Sequence, residues 1–302
     1  MPPQLSSTDL NRLHAIPGIA EILENESGPH VGITTKSCTA TMHLHGAQIT
    51  SWKPATSQEI IFQSSKARFT EGQAIRGGIP ICFPWFRAKS DDPKAPAHGF
   101  VRTKNWNLES IKAEGDNALV TMTTESDDAT KKYWPADFQL KLRATFGAEL
   151  TLELSTTNTG TTPLRYEEAI HTYYAIGDIH QARIKGLDNA TYLDNTDANQ
   201  EKKQTADVAV SAATDSAYTN NENALDLVDT VLNRRIHIQK QNSRTTVIWN
   251  PWEAAANKMS DMGPDEWKKM LCVEGANILA NAVALNPGAH HTTTVTMTVT
   301  TL

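Results

Sequence analysis

The feature that most restricts the fold is a period of two in the apolar residues, recurring in short runs along most of the chain. It is clearest where Leu140, Leu142, Ala144 and Phe146, and then Leu150, Leu152 and Leu154, alternate with polar residues. Successive side chains of an extended segment point to opposite faces, so each run predicts a strand with one buried face. Phe146-Gly147-Ala148-Glu149 is a tight-turn signal, so 138–146 and 149–158 are predicted to pair as a hairpin. Further strand-like runs fall at 46–52, 59–64, 106–111, 118–124, 165–176, 182–187, 228–231, 235–239, 245–249 and 270–274. The chain closes on Val295, Met297 and Val299 alternating with threonines, the pattern of a half-buried antiparallel strand. Against this stand only a short helix predicted over 8–16, stopped by Pro17-Gly18, and an irregular-to-helical stretch over 252–269. Strands that do not alternate with helices exclude a βαβ architecture. The expectation is an all-β protein, a large antiparallel β-sandwich. At 302 residues it is expected to form a single domain over 1–302, with 1–30 as an N-terminal extension packed on it.

Composition narrows the function classes. The net charge of −6, with acidic and basic residues interspersed, argues against a nucleic-acid partner. No stretch approaches the length of a membrane span, and the N-terminus lacks a basic region followed by an apolar run, so neither membrane nor secretion is expected. Three widely spaced cysteines, Cys38, Cys82 and Cys272, fit neither a disulfide framework nor a zinc site. They read as small buried hydrophobes in a reducing compartment, so a cytoplasmic location is expected.

One stretch breaks the strand pattern. Residues 75–102, IRGGIPICFPWFRAKSDDPKAPAHGFVR, hold four prolines, a Gly pair and three arginines. Such a segment is predicted to be a long irregular connection, since Pro lacks a donor and Gly weakens helix and strand alike. Phe83, Trp85, Phe86 and Phe100 supply the apolar surface to order it. Arg76, His98 and Arg102, with Arg87 and Lys89 nearby, make it a candidate anion-binding loop, because guanidinium forks match phosphate geometry. Gly77-Gly78 is not a phosphate-binding P-loop, as the following Lys-Ser/Thr is missing.

Chemistry-bearing residues elsewhere are few. His171, in Ala169–Ala175, is expected to share a strand face with Tyr173 and can exchange a proton near neutral pH. Glu274 closes an apolar strand before Gly275; partial desolvation there would raise its pKa and make it a better base. Asp215 is a weaker candidate. Each also has a plain structural reading, as a bonded core histidine, a strand-end glutamate and a solvated aspartate. His43 and His45 are expected on one strand face without a third ligand, and His290-His291 as an exposed pair, so no metal site is called. No nucleophile elbow is present.

The combination resembles the hexose-6-phosphate mutarotases (glucose-6-phosphate 1-epimerases) of the aldose 1-epimerase group. The resemblance is carried by IRGGIPICFPWF, DDPKAPAHGFVRTKNW, AIHTYYAIGDI, VIWNPW and MLCVEGAN, in the family's order over residues 75–277. It implies a sandwich with the sugar site on a concave face, His171 as general acid and Glu274 as general base. It further implies that Arg76 and Arg102 bind substrate, that His98 lines the site, and that Asp215 holds sugar hydroxyls. The chain departs from the family pattern at Arg87, where a glycine is expected. It departs again in the acidic RYEEAI segment before His171, and at Ser216, where a basic residue often follows the aspartate.

The implied reaction is exchange of α and β anomers of a hexose 6-phosphate, glucose 6-phosphate first. One group takes the proton of the C1 hydroxyl while another protonates the ring oxygen. The expected partner is therefore a small sugar phosphate, with no cofactor, and the chain is expected to act as a monomer. Two other classes stay open at this point. A glycoside hydrolase or lyase would pair Glu274 with Asp215 or Glu168 across the bond, and a sugar-phosphate binding module would lack turnover.

Overall fold

The computed structural model describes residues 5–302; residues 1–4 of the expected N-terminal extension lie outside them. Two eight-stranded antiparallel sheets make the sandwich. The front sheet runs in spatial order through Gln200–Lys203, Thr191–Asp194, Thr214–Thr219, Thr245–Asn250, Met270–Asn277, Glu168–Ile170 and Ile81–Cys82. Tyr173–Ala175 adds to it by pairing with Met270–Asn277. The back sheet runs through Ala182–Lys185, Leu225–Asp229, Arg234–Gln241, His290–Thr301, Leu150–Asn158, Phe138–Phe146, Asn117–Glu125 and Asn107–Glu114. The all-β architecture is the one the period of two demands.

The core lies between the sheets and is built by parity. On Met270–Asn277, Leu271 and Val273 enter the main apolar core together with Leu152, Leu154, Val295 and Met297 of the back sheet. Met270, Cys272, Glu274 and Ala276 take the opposite, outer face. Gly275 faces inward against the back sheet; a Cβ there would lie 2.7 Å from Val295 Cγ2. The predicted hairpin forms with Phe146 opposite Leu150. A third sheet, Ala20–Asn25 to Ile49–Pro54, joins four strands in sequence order. Its first strand is held by the helix Ser7–His14, where Asn11 Oδ1 accepts from the Ile22 amide at 2.8 Å. Among the described residues no helix is long and apolar enough to cross a membrane.

Several expectations need correction. His45 does not share a strand with His43: that strand, Cys38–His43, ends before it, and His45 forms an isolated bridge to Asn105. The run at 165–176 is not one strand but three, Leu164–Tyr166, Glu168–Ile170 and Tyr173–Ala175, because different neighbours claim its backbone. Leu164–Tyr166 pairs with Val283–Leu285, while the His171 amide donates to Pro80 O at 3.0 Å. Residues 59–64 form isolated bridges only: Glu59 Oε1 accepts from the amides of Trp52, Ile60 and Ile61, donors that a ladder would use. His291 is not exposed like His290 but half-buried, with Nε2 3.5 Å from Glu168 Oε1.

Candidate active site

The irregular stretch 75–102 is held down by its aromatics and by one close backbone contact. Phe83, Trp85, Phe86 and Phe100 are all buried. Gly99 adopts φ +73°, and a Cβ on it would fall 1.8 Å from Phe83 O, so no other residue fits without opening the loop. Arg87 and His98 both sit in the left-handed region, joined by the His98 amide donating to Arg87 O at 2.7 Å. Such conformations in non-glycine residues persist where the surroundings enforce them. Glu167 supplies part of that enforcement: its carboxylate accepts from the Phe86 amide at 2.9 Å and the Leu279 amide at 2.7 Å. This accounts for one of the two unexpected acidic residues before His171.

The other, Glu168, faces the opposite way. It lies between the sheets, accepting from Asn277 Nδ2 at 3.0 Å and from the Thr293 hydroxyl. It is therefore separated from the outer face by the thickness of its own strand.

On the outer face of the front sheet, register assembles the reactive groups. Asp215 stands opposite Trp249, Trp249 opposite Cys272, and Cys272 opposite Tyr173, giving one row across four strands. The next row on the same face holds Ala217, Val247 and Glu274. Ile170 pairs with Gly275 and Tyr173 with Cys272, the same register on either side of the break. His171 consequently falls opposite Glu274, and His171 Nε2 lies 3.2 Å from Glu274 Oε1. The His171 ring stacks on Tyr173, centroids 4.9 Å apart, and meets Trp249 edge-on at 6.2 Å.

All six residues singled out from the sequence line one cavity of about 290 Å³: Arg76, His98, Arg102, His171, Asp215 and Glu274. The stretch 75–102 supplies its cationic wall and the front sheet its floor. Trp249, Tyr173 and Arg87 also line it; the sequence marked Arg87 as a neighbour in the anion-binding loop and a departure from the family pattern, and Trp249 only as a strand residue. Arg87 Nη2 donates to Asp215 Oδ1 at 2.6 Å, and Asn195 Nδ2 holds the other oxygen at 2.7 Å. Arg76 is paired with Asp261 at 3.3 Å and donates to the Tyr173 hydroxyl at 3.1 Å. Arg102 donates to Ala97 O at 2.8 Å and, among the described residues, pairs with no carboxylate. Among the described residues the Nε–H groups of all three guanidiniums are buried without a hydrogen-bond partner.

Burial dominates the electrostatics. It pushes Glu274 well above the ordinary carboxylate range, reinforced by the charge of Asp215 and opposed by Arg87 and Arg102. It pushes His171 down to about 3, and the charges of Arg102 and Arg76 act in the same direction. His98, pressed edge-on against Phe86 at 4.7 Å, is likewise pushed down by burial and by Arg102. The His171–Glu274 pair therefore favours states without separate net charge, holding one proton between two basic sites. Such a pair can accept a proton from one oxygen and return it to another.

The aldose 1-epimerase family profile matches residues 29–298. The chain belongs to the aldose 1-epimerase family. This epimerase, an isomerase-class enzyme, is 34% identical over 286 residues to a Cenchrus ciliaris protein provisionally named glucose-6-phosphate 1-epimerase, covering 89% of this chain and 84% of that one. An Escherichia coli protein with the same provisional name is 34% identical over 238 residues, covering 78% and 79%. Among solved structures, a provisionally assigned mutarotase, YeaD from Salmonella typhimurium, superposes with a TM-score of 0.90 at 28% identity over 96% of each chain.

Proposed function

We propose that this epimerase interconverts the α and β anomers of hexose 6-phosphates, with glucose 6-phosphate as the principal substrate. The observation that carries the reading is the 3.2 Å approach of His171 Nε2 to Glu274 Oε1 inside a cavity edged by three arginines. Starting from the form in which the proton shared by the pair sits on His171, Glu274 removes the proton of the C1 hydroxyl and His171 protonates the ring oxygen. The C1–ring-oxygen bond breaks and C1 becomes a carbonyl. Rotation about C1–C2 presents the other carbonyl face. The C5 hydroxyl then attacks, giving its proton back to His171 while Glu274 returns its proton to the C1 oxygen. Atoms and protons balance over the cycle, and the enzyme ends as it began.

The remaining residues bind and orient. Arg102, the lining arginine without a carboxylate partner among the described residues, is the strongest candidate for the phosphate, with Arg76 beside it. Asp215, fixed by Arg87 and Asn195, offers its remaining lone pairs to sugar hydroxyls, and His98, neutral through burial, donates or accepts one further bond. Holding the phosphate away from the reacting carbon orients the sugar between acid and base. Against the hydrolase alternative, Glu168 faces the sandwich interior, and the ion pair with Arg87 favours Asp215 as a fixed charged acceptor over a group that exchanges protons. We further propose that the chain works as one mutarotase-like domain and as a monomer in the cytoplasm. Three free, buried cysteines and the absence of a basic excess support that setting.

The test is anomer exchange of freshly dissolved α-glucose 6-phosphate followed by NMR. His171→Ala and Glu274→Gln are each expected to lower kcat by roughly 10²–10⁴-fold. Unchanged rates in both variants would remove the assigned roles.

A further inference from the structure

Cys272 is a side chain the proposed reaction does not use. It sits two residues before Glu274 on Met270–Asn277, on the same outer face. The ligand atoms of His171, Cys272 and Glu274 all lie within 4.8 Å of one another, and all three residues are buried. Among the described residues no other three His, Cys, Asp or Glu side chains gather in this way.

We propose that His171, Cys272 and Glu274 form a binding site for a thiophilic divalent cation such as zinc, which occupies the reacting groups and so inhibits the enzyme. Tetrahedral zinc holds sulfur at about 2.3 Å and nitrogen or oxygen at about 2.0 Å, which places ligand atoms roughly 3.3–3.6 Å apart. His171 Nε2 and Glu274 Oε1, at 3.2 Å, already stand at the separation a shared ion requires. The sulfur, within 4.8 Å of both, needs to close by at most about 1.3 Å. An independent observation points to a ligand: among the described residues Glu274 Oε2 is buried without any hydrogen-bond partner, on a side chain 1% exposed, which leaves the carboxylate an open acceptor.

Charge and donor type select the ion. A thiolate and a carboxylate sum to −2, which a divalent cation neutralises, while the imidazole binds as its neutral form. On binding, the Cys272 Sγ–H proton leaves to solvent, as does a proton on Glu274 where one is present. Sulfur and imidazole donors favour zinc over magnesium or calcium. His171 and Glu274 line the cavity, so the fourth position faces it and carries a water. Arg76 and Arg102 lie close enough to oppose a cation, which sets the affinity below that of a dedicated structural zinc site. The site itself follows from the ligand geometry; its effect on turnover rests on the roles proposed above.

Binding is read without turnover. Metal-free protein titrated with cobalt(II) is expected to bind one ion per chain, with thiolate-to-cobalt charge-transfer absorption and the intense visible bands of a tetrahedral ion, and zinc displaces it. Wild-type protein lacking the thiolate band overturns the proposal, whatever the variants do. Cys272→Ser, checked for folding by circular dichroism, is expected to weaken zinc binding at least about 100-fold, since even outer ligand-supporting groups are worth 10–100-fold. Cys38→Ser is expected to leave it unchanged; the reverse pattern overturns the proposal. Zinc is expected to stop anomer exchange and EDTA to restore it. Zinc held by these ligands with full turnover would uphold the site and refute the roles of His171 and Glu274 instead.

Discussion

Lys240 offers a stability prediction whose magnitude can be worked out. It lies on Arg234–Gln241 with its side chain between the sheets, 7% exposed. Its ammonium donates to Asn221 O at 2.8 Å and to the Thr246 hydroxyl. Burial pushes its pKa from the ordinary 10.5 down to about 7, with a small opposing effect from Glu222. The sign follows from proton counting. Between about pH 7 and 10.5 the unfolded chain carries a proton that the folded chain has lost, so stability rises with pH across that window. Each unit is worth about 1.36 kcal/mol, so wild type is expected to gain up to about 3 kcal/mol from Lys240 between pH 7 and 9.5. Lys240→Met fills a similar volume and cannot titrate. It leaves Asn221 O and the Thr246 hydroxyl short of a partner, at a cost of about 1–3 kcal/mol each, but that cost does not vary with pH. Urea denaturation of both proteins at pH 7 and 9.5 isolates the effect as a difference of differences. If the two proteins show the same change in stability between these pH values, the buried ammonium is not what the geometry makes it.

Three further outcomes are expected. Arg102→Ala should raise KM for glucose 6-phosphate far more than for free glucose, measured by anomer exchange; equal effects on both would remove Arg102 from the phosphate. Gly99→Ala places a Cβ 1.8 Å from Phe83 O at a φ of +73°, so the loop must open. A loss of about 3 kcal/mol or more is expected in denaturant unfolding. Glu168→Gln should lower stability by about 1–3 kcal/mol through its bonds to Thr293 and Asn277, yet reduce kcat only severalfold. A kcat loss matching that of Glu274→Gln would contradict its placement between the sheets.

The sequence by itself determined the class of fold and most of the cast. A period of two is a local property, so the hairpin of Phe138–Phe146 with Leu150–Asn158 could be read from adjacent residues. Proline and glycine act locally too, which is why 75–102 announced itself as an irregular connection with apolar anchors. Which residues meet was not local. His171 faces Glu274 because two strands far apart in the chain share one register, and a slip of one residue would send each side chain to the other face. Glu167 and Glu168 are neighbours in sequence, yet one caps loop amides while the other is sealed between sheets. The Arg87–Asp215 ion pair and the approach of Cys272 to His171 likewise join residues far apart in the chain. The stretch 75–102 could be read as a binding wall; only the front sheet's register decided what it encloses.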